Sequence, residues 1–221
     1  MGLHPDNKSG GGQRRGRWLI PCILGALAAL CVALPAGAGA DGLVPNPANH
    51  HKLVDKPIEE SRYDDARKCR SKPTQGAKAL TRWLGRTVRG ESWGINRCER
   101  LKRGGFSIHS EGRAVDWHLD AGKAKERRSA MRLIRTLIAR DRHGNVNALA
   151  RRMGVQGLIF DCKAWWAGME KLGRYSYCYK RSGDVRDDLD RTAAHRDHLH
   201  IELNWPGARK RTSFWRSPVS R

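Results

Sequence analysis

Apolar residues recur at helical spacing in three stretches of the chain. Residues 74–88 and 123–141 each carry one apolar stripe in an otherwise polar, basic segment, which predicts two amphipathic helices. Residues 145–154 favour a third, shorter helix that ends at Gly154. The stripe residues are Ala77, Leu80, Trp83 and Leu84 in the first helix, and Ala130, Leu133, Ile134, Leu137 and Ile138 in the second.

Other stretches alternate between apolar and polar residues, as half-buried strands do. Residues 113–120 and 198–204 both follow this pattern, and residues 93–98 and 155–162 predict two further strands. Short strands mixed with separate helices predict an α+β fold. The polar faces carry Ala114, Asp116, His118 and Asp120 in the first strand, and His198, His200 and Glu202 in the second.

These two polar faces hold side chains that bind metal ions. If the strands pair, Asp116 and His200 lie close together, and a bend at Gly112 returns His109 towards them. Two imidazoles and one carboxylate form a zinc site, and three protein ligands leave the fourth position to water, as in catalytic sites. His198 lies beside them. Each motif alone also has an ordinary structural explanation, such as an aspartate paired with an arginine.

The chain begins with the features of an export signal. A basic start, the apolar residues 18–34 and an A-x-A pattern ending at Ala40 predict a secretory signal peptide over residues 1–40. A retained membrane anchor is the alternative, although spanning a bilayer takes about 20 apolar residues. The adjacent Arg14 and Arg15 leave export by the twin-arginine route open.

Composition divides the rest of the chain into three segments. Residues 41–61 predict an extended leader or linker, residues 62–206 one folded domain, and residues 207–221 a basic C-terminal tail. The formal net charge is +21, and removal of the predicted signal peptide leaves +18. Such a surface favours polyanions, for example anionic cell-wall polymers, anionic lipid or shed nucleic acid. Charge that only keeps the protein soluble is the alternative.

The six cysteines divide along the same boundary. Cys22 and Cys31 lie in the predicted signal peptide, and the four that remain in an exported chain predict two disulfides. Of the three possible pairings we favour the sequential one, because it closes two short loops. A four-cysteine zinc site is disfavoured, since no C-x-x-C pair is present. The predicted disulfides are Cys69–Cys98 and Cys162–Cys178.

Five residues fill the pattern S-x-H-x-x-G-x-A-x-D without a gap: Ser107, His109, Gly112, Ala114 and Asp116. With the distal His-x-His pair, this pattern resembles the zinc D-alanyl-D-alanine metallopeptidase family over residues 68–204. That family shares its fold with L-alanyl-D-glutamate endopeptidases, Hedgehog signalling domains and extensin-like C-terminal domains. The chain is similar in particular to secreted actinobacterial members of the extensin-like branch. The resemblance implies a small antiparallel sheet flanked by helices.

The resemblance also implies roles for individual residues. His109, Asp116 and His200 would be the ligands of one zinc ion. Asp197, three positions before the last ligand, would be the general base, and His198 would help to polarise the water or the oxyanion. Peptidases of the D-Ala-D-Ala type commonly have glutamate at the position of Asp197, whereas some L-Ala-D-Glu endopeptidases have aspartate.

Four further residues are candidates for supporting roles. Ser107 would support the metal ligands. His118 lies on the same predicted strand face as Asp116, and it either orients a ligand or lies at the solvated rim. An arginine upstream of the first motif often steadies the substrate carbonyl in this family, and Arg97 and Arg100 are both candidates for that role.

The expected function is that of an exported zinc peptidase acting on peptidoglycan stem peptides, as a D,D-carboxypeptidase or an L-Ala-D-Glu-type endopeptidase. It would be secreted or cell-wall associated, with anionic wall polymers as partners and no specific nucleic acid. It would contact the membrane only through the signal peptide before cleavage. One alternative is a non-catalytic, zinc-stabilised binding module of the same fold. Another is a polyanion binder driven by charge alone, whose binding falls steeply with salt and ignores chelators.

Overall fold

The computed structural model describes residues 46–102 and 104–221. The predicted signal peptide over residues 1–40, with its two cysteines and its arginine pair, lies outside the described residues, as do residues 41–45. All described residues belong to one compact unit. Among the described helices, none has the length and hydrophobicity of a membrane span.

The described chain contains six strands: β1 (Ser92–Gly94), β2 (Ala114–His118), β3 (Val155–Phe160), β4 (Lys163–Trp166), β5 (Gly173–Arg174) and β6 (His198–Leu203). Its α-helices are α1 (Gln75–Thr87), α2 (Ala124–Ile138), α3 (Ala148–Met153), α4 (Trp205–Ala208) and α5 (Ser213–Arg216). Short 3-10 helices lie at Pro47–Asn49, Ile108–Glu111, Ser176–Cys178 and Pro218–Ser220. The strands form one antiparallel sheet in the order β1-β2-β6-β3-β4-β5, which confirms the predicted α+β fold with an antiparallel sheet flanked by helices.

The apolar face of the sheet forms the core together with α1 and α2. Val115 and Trp117 of β2 and Ile201 of β6 are buried and pack against the apolar stripes predicted for these helices. Of the predicted stripe residues, Ile138 alone is only partly buried. Each large apolar side chain buried in this way contributes about 1.5–3 kcal/mol. Because side chains alternate along a strand, the polar residues of β2 and β6 lie on the opposite face of the sheet.

The strand predicted over residues 93–98 is shorter than expected. Only the segment Ser92–Gly94 pairs with β2. Beyond it, the side-chain amide of Asn96 donates to the carbonyl oxygens of Arg70 and His109 at 3.1 and 3.0 Å. Side-chain hydrogen bonds thus hold the chain in a loop here, where a strand ladder was predicted.

Both disulfides have the predicted pairing. The Cα atoms are 5.3 Å apart in Cys69–Cys98 and 5.6 Å apart in Cys162–Cys178. The first disulfide ties the segment before α1 to the loop that precedes Ser107. The second closes the loop that holds β4 and β5. Such bonds are rare in the reducing cytosol, so they indicate an extracellular or otherwise oxidising environment.

The segments predicted as an extended leader and a basic tail are both packed on the domain. In the leader, Leu53 is fully buried, and the buried guanidinium of Arg152 donates to two backbone carbonyl oxygens. In the tail, Phe214 is fully buried, and the indole N–H of Trp215 donates to a carbonyl oxygen of α3 at 2.7 Å. The predicted boundaries at 62 and 206 are therefore too narrow, because a few apolar side chains of each flank complete the core.

Substitutions at two glycines of α1 test the close packing of α1 on α4: Gly76 lies at this contact, and Gly85 is the control. A Cβ at Gly76 would lie 2.7 Å from Ala208 Cα and would overlap the carbonyl oxygen of Gly207, whereas a Cβ at Gly85 would meet only the Trp117 ring at 3.7 Å. We expect Gly76→Ala to lower the free energy of unfolding by roughly 2 kcal/mol or more. Gly85→Ala should raise it by up to about 1 kcal/mol, because alanine favours the helix. Chemical denaturation measures both, and equal stabilities would contradict the packing.

Candidate metal centre

β2 and β6 are paired so that their polar faces coincide. In their antiparallel register Asp116 lies opposite His200, and His118 lies opposite His198. Because side chains alternate along a strand, all four point to the face of the sheet that is turned away from α1 and α2. The register thus brings together side chains that are 80 or more residues apart in the chain.

A tight turn brings His109 to the same face. His109 lies in the 3-10 helix Ile108–Glu111, where the Ser107 hydroxyl accepts a hydrogen bond from the His109 N–H at 3.4 Å. The helix ends at Gly112, which has a φ of 64°. A Cβ at Gly112 would lie 2.7 Å from the carbonyl oxygen of Lys72, so both the backbone conformation and the available space require glycine. Ser107 therefore supports the turn that presents His109.

His109, Asp116 and His200 meet at one point. Asp116 Oδ1 lies 3.1 Å from His109 Nε2 and 2.9 Å from His200 Nδ1, and the two ring nitrogens are 3.2 Å apart. Ligand atoms bonded to one zinc ion at about 2.0–2.2 Å lie roughly 3.3 Å apart in a tetrahedral arrangement. All three side chains are buried. The spacing and the chemistry of these donors therefore fit a single metal ion.

Hydrogen bonds hold the outward-facing nitrogens of the two histidines. His109 Nδ1 lies 2.8 Å from the carbonyl oxygen of Ile95, and His200 Nε2 lies 3.1 Å from Glu202 Oε1. Glu202 is held in turn by the Tyr63 hydroxyl, which donates to Oε2 at 2.9 Å. With their outward nitrogens donating, His109 Nε2 and, once deprotonated, His200 Nδ1 would present lone pairs to a metal ion, as metal-ligating histidines do.

Of the two candidate arginines, Arg97 reaches the cluster. Its Nη1 donates to Asp116 Oδ2 at 2.7 Å and its Nε donates to Glu99 at 3.2 Å, while the side chain is 51 % exposed and lines the cleft. Arg100 instead stacks on the Phe106 ring, 4.6 Å from its centroid. Arg97 thus engages the second oxygen of Asp116 and leaves Oδ1 directed at the two histidines.

The carboxylate between two imidazoles sets the protonation of the cluster. Burial alone would raise the pKa of Asp116 and lower that of His200, but the hydrogen bonds of each group have the opposite effect and prevail. The pKa of Asp116 therefore lies far below its ordinary value, and the pKa of His200 is raised to about 9. Burial, only partly offset by the bond to Asp116, lowers the pKa of His109. The ionised carboxylate attracts a cation to this point.

His198 faces the cluster with an unpaired nitrogen. Its Nδ1 lies 2.7 Å from Asp197 Oδ1, and the Thr192 hydroxyl donates to Asp197 Oδ2 at 2.6 Å. His198 Nε2 is buried, has no hydrogen-bond partner among the described residues and lies 3.5 Å from Asp116 Oδ1. Because Nδ1–H donates to Asp197, Nε2 carries a lone pair directed at the cluster. Such an orphaned acceptor is expected where a water or a ligand completes a site.

Sequence reasoning missed a further histidine of the cleft, His195. Its ring centroid lies 4.7 Å from that of His198 and 5.4 Å from that of His200. Burial, followed by the nearby His200 and His198, lowers the pKa of His195 to about 2, so that its ring is neutral. The three rings form a second set of donor atoms that fits a metal ion. The only sequence signal for His195 is its place three residues before His198, ahead of β6.

The edge of the site refines the prediction for His118 and adds two residues. The His118 ring stacks on Trp93, with centroids 4.2 Å apart, and its side chain is 28 % exposed, which supports the rim position considered for it. Glu202 and Tyr63, which hold His200, have no role in the sequence prediction. The alternation of β6 places Glu202 on the polar face, whereas nothing in the sequence marks Tyr63.

An open cleft of about 780 Å³ leads to the cluster. Pockets of about 300–1,000 Å³ are typical for small ligands. His198, His200 and Arg97 face this cleft. Its walls combine aromatic side chains with carboxylates: Tyr63, Phe106, Trp166, Tyr175, Tyr177, Asp65, Glu99, Asp190 and Glu202.

Comparisons with models of protein families, with characterised proteins and with solved structures found no match to this chain. The resemblance of the two motifs to zinc metallopeptidases therefore stays an expectation. The function of the site has to be inferred from its residues and their arrangement.

The cluster predicts that the protein binds one zinc ion at His109, Asp116 and His200. Zinc at about 100 times its Kd should raise the free energy of unfolding by about 2.7 kcal/mol. His109→Ala should abolish this stabilisation, because it removes one of three donors. His143→Ala is the matched control, since His143 is half-exposed and pairs with Asp55 at 3.1 Å. Calorimetric titration and thermal unfolding with and without chelator measure the effect. Unchanged stabilisation in His109→Ala would refute the ligand set.

Proposed function

We propose that this protein is an exported zinc peptidase that cleaves peptide bonds in peptidoglycan stem peptides. The observation that carries the proposal is the trio His109, Asp116 and His200 beside the unpaired His198 Nε2 in an open cleft. Structural zinc sites have four protein ligands and are closed, whereas three ligands at a cleft leave a position for water and substrate. The resemblance of both motifs to zinc metallopeptidases supports the same class.

The three buried donors would hold the ion, and the surrounding residues fix their geometry. A zinc ion bound there would supply a water of lowered pKa and would polarise the carbonyl that is attacked. The bonds from His109 to the Ile95 carbonyl and from His200 to Glu202 set the ring orientations. Ring orientation matters because the lone pair of each ligand nitrogen must point at the metal ion, and the nitrogen–metal distance must lie within about 0.2 Å of its usual value.

His198 and Asp197 form a dyad suited to proton transfer. Because its lone pair faces the cluster, His198 Nε2 accepts the proton of the attacking water and returns it to the leaving amine. Asp197 accepts the hydrogen bond from Nδ1, fixes the tautomer and stabilises the imidazolium. Thr192 holds the other carboxylate oxygen of Asp197. We therefore assign proton transfer to His198 and an orienting role to Asp197, where the resemblance implies a direct general base.

Arg97 is placed to assist the reaction from the cleft wall. Its Nη1 and Nε donate to Asp116 and Glu99, and no described residue accepts from Nη2. The half-exposed guanidinium can thus donate from Nη2 to a substrate carbonyl oxygen, on which negative charge develops. Arg100 lies over Phe106 and takes no part in this mechanism.

The cleft and the disulfides support a peptide substrate outside the cytosol. A volume of about 780 Å³ accommodates several residues of an extended peptide, and aromatic walls such as Trp166 and Tyr175 suit apolar contacts with a short peptide or an attached sugar. Both disulfides indicate an oxidising environment. Stem peptides of peptidoglycan meet both conditions, whether the cleaved bond is D-Ala-D-Ala or L-Ala-D-Glu.

Mass spectrometry of defined muropeptides tests the proposal. The zinc-loaded protein should release a fragment whose mass names the cleaved bond, and chelation should stop the reaction. His198→Ala should lower kcat by about 10²–10⁴-fold, as loss of a general acid–base does, with zinc binding retained. Asp197→Ala should lower kcat less than His198→Ala, and His143→Ala should match the unmodified protein.

The remaining outcomes separate the rival functions. A larger loss in Asp197→Ala than in His198→Ala would reinstate Asp197 as the direct general base. If protein shown to hold zinc cleaves none of the muropeptides, the non-catalytic, zinc-stabilised cell-wall-binding module replaces the peptidase.

A further inference from the structure

Two segments that meet in the fold carry basic residues and no Asp or Glu. A third such segment, residues 127–140, differs from them because its Arg127 and Arg140 pair with Asp161 and Glu170. Residues 71–90, which include α1, contain five Lys or Arg residues, and residues 205–221, which include α4 and α5, contain another five. The chain as a whole has one acidic residue for about every two basic ones. At that ratio, two basic segments without a single carboxylate side chain mark a segregation of charge.

The fold brings these two segments together. Gly76 of α1 packs directly on Gly207 of α4, and the guanidinium of Arg86 donates to the carbonyl oxygen of Ser220 at 3.0 Å. A cavity of about 240 Å³ lies between them. Its charged lining consists of Arg82, Arg86, Lys210 and Arg221. We name these four residues the basic pocket.

No described Asp or Glu forms an ion pair with a residue of the basic pocket. Lys78, Arg82 and Arg86 follow one another at i, i+4 spacing on the exposed side of α1. Like charges at this spacing destabilise a helix by about 0.2–0.5 kcal/mol per pair. Helix stability therefore does not explain the stripe. Four cations that converge with no Asp or Glu partner, against the single terminal carboxylate of Arg221, create a positive potential that concentrates anions.

The basic pocket lies on the opposite side of the sheet from the metal cluster. α1 packs on the apolar face with Val115 and Trp117, whereas Asp116 and His200 lie on the other face. An anion bound to the basic pocket therefore leaves the cleft open. The separation also makes this surface independent of the proposed peptidase activity.

The surface suits phosphate groups better than bases. Proteins that bind single-stranded nucleic acid combine cations with exposed aromatic rings on which bases stack. In the described chain the exposed large apolar residues are Tyr63, Trp93, Leu101 and Val185, and none of them belongs to either basic segment. Trp215, which lines the basic pocket, is 6 % exposed. Contacts here would therefore be made with phosphate charge alone.

We propose that the basic pocket and the adjoining stripe of α1 bind a base-free phosphodiester polymer, of the kind formed by polyol-phosphate chains of a cell surface. Spaced guanidinium and ammonium groups contact successive phosphates, and Arg82 and Arg86 bind oxygens in a forked geometry. Binding releases the polymer's counterions, so affinity falls as salt rises.

Binding of poly(glycerol phosphate) to the purified protein tests this proposal. The variant Arg82→Gln/Arg86→Gln/Lys210→Gln should bind about tenfold or more weakly at about 0.15 M salt, and its slope of log K against log salt should be shallower by about 2. Arg82→Lys/Arg86→Lys keeps the charge but removes the forked contacts, so it should keep the salt slope and bind with an affinity between those of the triple variant and the unmodified protein. Circular dichroism and the retained zinc stabilisation show that the variants are folded.

A control variant removes three exposed charges elsewhere on the surface: Lys52→Gln/Lys171→Gln/Arg181→Gln. It should bind within about twofold of the unmodified protein. An equal loss in the control would overturn the proposal, because net charge alone would then explain binding. Tighter binding of single-stranded DNA than of poly(glycerol phosphate) at equal phosphate concentration would overturn the assignment of a base-free partner.

Discussion

The register between β2 and β6 is the constraint on which the site depends. With Asp116 opposite His200, the polar side chains of both strands share one face. A slip of one residue would turn these polar groups into the core and expose Val115 and Ile201. Burial of the apolar face, at about 1.5–3 kcal/mol for each large side chain, therefore enforces the position of the metal ligands. The core and the site are two consequences of one pairing.

The third ligand depends on a turn that has its own supports. After Gly112 the chain enters β2 through Arg113, a fully buried residue whose guanidinium donates to Glu111 at 2.9 Å and to the carbonyl oxygen of Leu203 at 2.7 Å. These bonds connect the turn with the end of β6. A buried charge is tolerated only when it is paired and hydrogen-bonded, as this one is. The turn that presents His109 is thus tied to the strand that presents His200.

Local patterns in the sequence account for the elements and for the ligand trio. The alternation in residues 113–120 and 198–204 predicts both faces of the central strands, and Gly112 predicts the bend. The sequence does not reveal Tyr63 or His195, because each reaches the cleft from a segment without periodic structure.

The flanks and the arginines show the same limit on prediction. The buried Leu53 and Phe214 contradict the leader and tail interpretations, because composition averages over the few apolar residues that dock such a segment. The sequence alone does not decide between Arg97 and Arg100. The loop geometry after β1 decides between them, since it directs Arg97 to Asp116 and Arg100 to Phe106.

A chain with a net charge of +21 should repel a divalent cation. The charges of the two faces resolve this conflict. Asp116 and Glu202 contact the histidines within about 3 Å, whereas the basic pocket lies beyond the sheet and α1. Salt screens exposed charges beyond about 8–10 Å, so the distant cations contribute little at the cluster. The nearby groups therefore set the local potential. Asp116, which stays ionised far below neutral pH because its hydrogen bonds outweigh burial, and Glu202 together outweigh the one guanidinium at the cluster, that of Arg97. One face can thus attract a metal ion while the other attracts a polyanion.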